Sequence, residues 1–81
     1  MPKLFEWDGY KFFFFSNEGA PLERRHVHVR KGTNIAKFWM DPEIALESSV
    51  GFNSRELNVL ERIVKECSDE IRKKWDEYFN T

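Results

Sequence analysis

Apolar residues follow two rhythms along this chain. Between Tyr10 and Met40 they alternate with a period of two, and from Phe52 onward they recur at three- and four-residue steps. The first is the rhythm of pleated strands and the second that of one helix face. Tyr10 to Phe15 is aromatic at nearly every position, which suits a strand far better than a helix. It places Tyr10, Phe12 and Phe14 on one face and Lys11, Phe13 and Phe15 on the other. Trp7-Asp8-Gly9 before it and Ser16-Asn17-Glu18-Gly19 after it carry turn chemistry, and Ala20 to Glu23, with Pro21, reads as a loop.

The second predicted strand is His26 to Lys31, with His26, His28 and Arg30 pointing one way and Val27, Val29 and Lys31 the other. Gly32-Thr33-Asn34 forms a hairpin connection to a third strand, Ile35 to Met40, which Asp41-Pro42 stops. A short fourth strand is expected from Glu43 to Glu47, with Ile44 and Leu46 inward and a helical turn as its rival. Asn53 and Glu56 then form a capping box, and Phe52 with Leu57 a hydrophobic staple, so a helix starts here. Leu57, Leu60, Val64, Cys67, Ile71, Trp75 and Tyr78 give it one apolar stripe to the C-terminus. Such a helix would be roughly 39 Å long against about 20 to 23 Å for a strand, so it overhangs the sheet or bends near Cys67-Ser68.

These elements predict one α+β domain over residues 1–81. It has a small, mainly antiparallel sheet of three or four strands, with one long C-terminal helix packed on one face. One helix covers only one sheet face, while Phe12 to Phe15 offer apolar side chains to both. Either the second face or the overhanging Trp75, Tyr78 and Phe79 meets another chain, or the N-terminal arm and the Ala20 to Glu23 loop cover the extra aromatics.

At 81 residues the chain should bury about 60 to 65% of its unfolded surface, leaving little room for an enclosed substrate cavity. The single cysteine, Cys67, makes no internal disulfide and favours a reducing, cytoplasmic setting. Charges among the first eleven residues, and no apolar run longer than Phe12 to Phe15, predict neither a secretion signal nor a membrane span. The net charge of −1 argues against a general nucleic-acid coat. Its distribution is uneven: Glu23 to Lys37 sums to +4, with −1 before it and −4 after it.

That basic stretch, Arg24-Arg25-His26-Val27-His28-Val29-Arg30-Lys31, also holds both histidines of the chain. His-x-His on a strand puts both imidazoles on one face, with α-carbons about 6.6 to 7 Å apart. Two imidazoles do not make a metal site, and Glu18, Asp41 and Glu43 stand at no diagnostic spacing to complete one, so no metal or cofactor is assigned. As a general acid and base, His26 and His28 would suit RNA cleavage at a 2′-hydroxyl, with Arg24, Arg25 or Arg30 steadying the phosphorane. The competing reading is a solvated basic strand without turnover, and nothing in the spacing establishes an enzyme. Arg24, Arg25, Arg30, Lys31, Trp39 and Trp75 are the candidate binding residues, the tryptophans as core or interface anchors before base-stacking platforms. Cys67 lies on the apolar stripe and reads as packing. Arg72-Lys73-Lys74 is offset by Asp69, Glu70, Asp76 and Glu77, as on an ordinary solvated helix.

Gly9-Tyr10 with Phe12 to Phe15, Ser16-Asn17-Glu18, His26-Val27-His28-Val29, Ala36-Lys37-Phe38-Trp39, Gly51-Phe52, Glu56-Leu57 and Trp75 through Tyr78-Phe79 together resemble a bacterial domain-of-unknown-function family, DUF4160. The resemblance implies a small cytoplasmic protein, often encoded beside a second small protein of unknown function, number two-four-four-two, in pairs that look like toxin and antitoxin. It brings no established active site. Family members commonly carry a proline just before the first histidine, where Arg24 and Arg25 stand here. The resulting expectation is a protein-interaction component of a two-gene module that binds a cognate small protein. The alternatives are an RNA-binding or weak ribonuclease module, and a homodimer joined through Trp75 and the aromatic strand.

Overall fold

The computed structural model describes residues 3–15 and 23–79. The turn expected at Ser16-Gly19, the loop through Pro21 and the ligand candidate Glu18 lie outside them. Five strands, β1 (Lys3–Trp7), β2 (Tyr10–Phe13), β3 (His26–Lys31), β4 (Asn34–Trp39) and β5 (Ala45–Val50), form one antiparallel sheet in the order β1-β2-β3-β4-β5. Two helices follow, α1 (Ser54–Glu66) and α2 (Ser68–Phe79).

The α+β class holds, while two details of the expectation are corrected. The sheet has five strands instead of three or four, because Lys3–Trp7 pairs with β2 instead of lying as an arm. The Asp8-Gly9 turn, with φ of 48° and 81°, closes that hairpin in the left-handed geometry that matches strand twist. The last strand runs from Ala45 to Val50, later than Glu43–Glu47, and a register shift lies between Lys37 and Phe38 of its partner β4. The long helix is two helices, meeting at Cys67, whose φ of −102° and ψ of 13° leave the helical path. The bend keeps both segments over a sheet too short for a straight helix of that length.

The start of α1 is as expected. Asn53 Oδ1 accepts from the Glu56 N–H at 2.8 Å, and Glu56 Oε1 accepts from the Asn53 N–H at 3.1 Å. Just before it, Gly51 has φ of +93°, and a Cβ there would run into the Asn34 side chain, so only glycine fits.

The helices cover the valine face. Tyr10, Phe12, Phe14, Val27, Val29, Ala36, Phe38 and Met40 meet Phe52, Leu60, Ile63, Val64, Ile71 and Trp75 in one core. Tyr78, expected on the stripe, is 47% exposed, and Phe79, one position on, packs against Trp75 at 4.2 Å instead. Beside the core, Arg25 and Arg72 clamp the two layers together. Asp41 Oδ2 accepts from Arg25 Nε at 2.5 Å and Oδ1 from Arg72 Nε at 3.2 Å, and Asp76 on α2 accepts from Arg25 Nη1. No helix among the described residues is long and apolar enough to cross a membrane.

Candidate functional site

No helix among the described residues lies on the opposite face of the sheet, and the strand pairings map it. One row runs Glu6, Lys11, Arg30, Ile35, Val50 from β1 to β5, and the next runs Lys3, Phe13, His28, Lys37, Ser48. Towards the far end, His26 pairs with Trp39, which in turn pairs with Ala45. The rows hold four cations, Lys3, Lys11, Arg30 and Lys37, against one acid, Glu6, whose carboxylate takes Lys3 Nζ at 3.4 Å. Arg24 joins them, its guanidinium 3.9 Å from the Trp39 ring centre. Among the described residues, Lys11, Arg24, Arg30 and Lys37 make no ion pair.

Aromatic rings floor this surface, and other groups already occupy them. Lys37 Nζ stands 4.4 Å from the Trp39 centroid, and the Arg30 guanidinium 5.5 Å from Phe13. Phe13 stacks on His28 at 5.5 Å, and Phe15 meets His28 edge-on at 4.4 Å. Two hollows flank this ridge. One, of about 170 Å³, lies among Phe15, His28, Ile35, Lys37, Ser48 and Val50, and the other, of about 90 Å³, among Lys3, Lys11, Phe13 and Arg30.

The expected site residues are therefore divided. His28 does face away from the helices, yet only 7% of it is exposed, and His26 is fully buried. His26 opens β3, where its ring reaches Trp75 at 4.9 Å, Trp39 at 5.5 Å and His28 at 5.2 Å. The Arg24 carbonyl 2.7 Å from its Nδ1 can only accept, so Nδ1 carries the proton. Arg24, Arg30 and Trp39 stand on the open face, at the two ends of β3 and beside it. Arg25 leaves it for the clamp, where the bond to Asp41 outweighs burial and holds its guanidinium above its ordinary value. Lys31 lies on the helix side, 4.5 Å over Tyr10 and 3.4 Å from the Asp8 carbonyl. Trp75, 1% exposed, is a core residue.

Lys3, Lys11 and Lys37 on the open face went unnoticed in the sequence. Their signal was the alternation itself: Lys11 in β2 and Lys37 in β4 each stand on the phase opposite the one that enters the core, among apolar neighbours that hide the charge. Two other candidates have structural roles. Burial pushes Asp41 up, but the bonds and charges of Arg25 and Arg72 prevail and hold its carboxyl below the usual range. With both oxygens engaged, it is a poor metal ligand, and no group of three or more metal-ligating side chains gathers among the described residues. Burial, with Glu70 and Glu66 nearby, pushes the Cys67 thiol up, away from the thiolate a nucleophile needs.

Residues 9–76 match the family model described as Domain of unknown function (DUF4160). The chain belongs to the DUF4160 family. No curated protein and no solved structure gives a match. In this DUF4160 member the matched span begins at the β1–β2 turn and ends within α2, so it takes in β2 to β5, which carry all of the open face except the β1 positions.

Proposed function

We propose that this protein is a cytoplasmic binding module whose open sheet face holds an acidic protein partner. With the family resemblance, that partner is the cognate small protein of a toxin–antitoxin-like gene pair. One observation carries the reading: Lys11, Arg24, Arg30 and Lys37, drawn from β2, β3 and β4 and the approach to β3, share one surface without ion-pair partners among the described residues. Unpaired cations on one face steer an acidic surface into register and discriminate against basic ones.

The test is co-purification of the full chain with the product of the adjacent small gene. Lys11→Glu/Lys37→Glu should weaken the complex about tenfold or more, since like charges then face each other across the interface. Lys73→Glu on the exposed side of α2 should leave it intact. Equal binding by the face variant, or equal weakening by the α2 control, would sink the reading.

RNA binding is the second reading, favoured by the same cations. Among the described residues of the open face, Phe13 and Trp39 offer no free stacking platform, because arginine, lysine or neighbouring rings already cover them. A nuclease would also require His26 to touch substrate from a fully buried position. Salt-dependent RNA binding lost in the face variant, with no protein partner captured, would move the assignment to RNA.

A further inference from the structure

We propose that the hollow between Lys3, Lys11 and Arg30 is an oxyanion subsite for the phosphoryl group of a phosphate monoester. This goes beyond the partner reading and does not depend on it, since a phosphoryl group on a small molecule or on a protein side chain would meet the same three cations.

The three cations come from three neighbouring strands, β1, β2 and β3, and surround Phe13, which is only 2% exposed. Lys11 and Arg30 are direct cross-strand partners. Like charges at such positions repel and weaken the pairing; Glu6, opposite Lys11 on β1, offsets only one of the two cations, and both side chains point away from the core, so packing gives no reason for the second. Neither donates a hydrogen bond to any described residue. Arg30 rests its guanidinium over Phe13, and a guanidinium stacked on a ring keeps its in-plane N–H fork available for an oxyanion.

Charge and size then select the ligand. Three cations against Glu6 leave +2 at this corner, and a phosphate monoester carries about −1.5 to −2 at neutral pH. The hollow, of about 90 Å³, has room for a small oxyanion beside all three cations.

The full chain is titrated with inorganic phosphate, and separately with acetate, at constant ionic strength in chloride, following backbone amide and arginine Nε signals. Saturable shifts at Lys3, Lys11, Phe13 and Arg30 are expected with phosphate. Binding should be at least about fivefold weaker for acetate and in Lys11→Gln or Arg30→Gln, each of which loses one charge-assisted bond. Lys73→Gln should bind like wild type. In phosphate-free buffer Lys11→Gln should unfold near the wild-type temperature, because it loses a repulsion from Arg30 and an attraction to Glu6 together; this separates lost binding from a lost fold. A phosphoserine peptide that binds more tightly than inorganic phosphate would place the group on a protein, and equal binding would place it on a small molecule. Shifts that do not saturate, that acetate reproduces equally, or that survive both glutamine variants would overturn the subsite.

Discussion

His26→Ala is predicted to damage the fold and to leave partner binding intact in the molecules that stay folded. The imidazole is fully buried and contacts Trp75, Trp39 and His28 at 4.9, 5.5 and 5.2 Å. Truncating a buried Phe or Trp costs about 3–5 kcal/mol, and the smaller imidazole should cost about 2–3. Losing the Nδ1–H bond to the Arg24 carbonyl adds about 1 kcal/mol. The sum of about 3–4 kcal/mol is a large share of the roughly 4–12 kcal/mol expected for a domain of this length. At about 4–8 °C per kcal/mol, the melting temperature should fall by roughly 12–30 °C. His26→Phe keeps a ring in place and should lose only about 1 kcal/mol, from the lost bond to the Arg24 carbonyl. Urea and thermal unfolding, followed by fluorescence of the three tryptophans, measure both variants. A His26→Ala protein that melts within about 3 °C of wild type would refute the packing argument. One that stays folded but loses its function would return the histidine to the site.

Two further outcomes test the frame that presents the open face. Asn53→Ala removes the acceptor for the Glu56 N–H and should cost about 1 kcal/mol in urea unfolding, with Asn53→Gly closer to wild type. Asp41 has a carboxyl held below its unfolded value, so its ion pairs contribute fully above that value, near 3.8, and are lost as pH falls through the folded one. Asp41→Asn should therefore be less stable at pH 7, by about 1–2 kcal/mol after allowing for its partial exposure. Melting curves of the two proteins should converge as the pH falls below 3.8 and through the folded value, and a difference that persists once the carboxyl is protonated would show that the clamp acts through shape and not charge.

Much of the frame was legible because local rules and tertiary packing agreed. β3 runs from His26 to Lys31, as its alternation and the following glycine required. The division of Tyr10, Phe12 and Phe14 from Phe13 and Phe15 survives in the core, as does the capping box. β1 was missed because only Phe5, Glu6 and Trp7 keep a clean alternation, and a register shift between Lys3 and Phe5 breaks the rest. β5 was misplaced because Ala45–Val50, an edge strand, is half polar with Glu47, Ser48 and Ser49 in a row, and leaves Val50 66% exposed, so hydrophobicity marks it weakly. The basic stretch misled for a geometric reason. Neighbours along extended chain point to opposite sides, so Arg24 parts from Arg25 and Arg30 from Lys31. A charged surface on a sheet is instead assembled from alternate residues of separate strands, which no single stretch displays. The burial of His26 was equally hidden, because it depends on Trp39 and Trp75, which are remote in sequence.

The alternation in β3 has a consequence for how this protein can vary. Val27 and Val29 hold the helices while His28 and Arg30, their immediate neighbours, furnish the outer face. Substitutions at Lys11, Arg30 or Lys37 can retune the outer surface without touching the core. Adding or deleting one residue within β3 would exchange the two faces, turning valines to water and an arginine towards Leu60 and Val64. New binding preferences are therefore open to this chain through changes of residue type, while changes of strand length are closed to it.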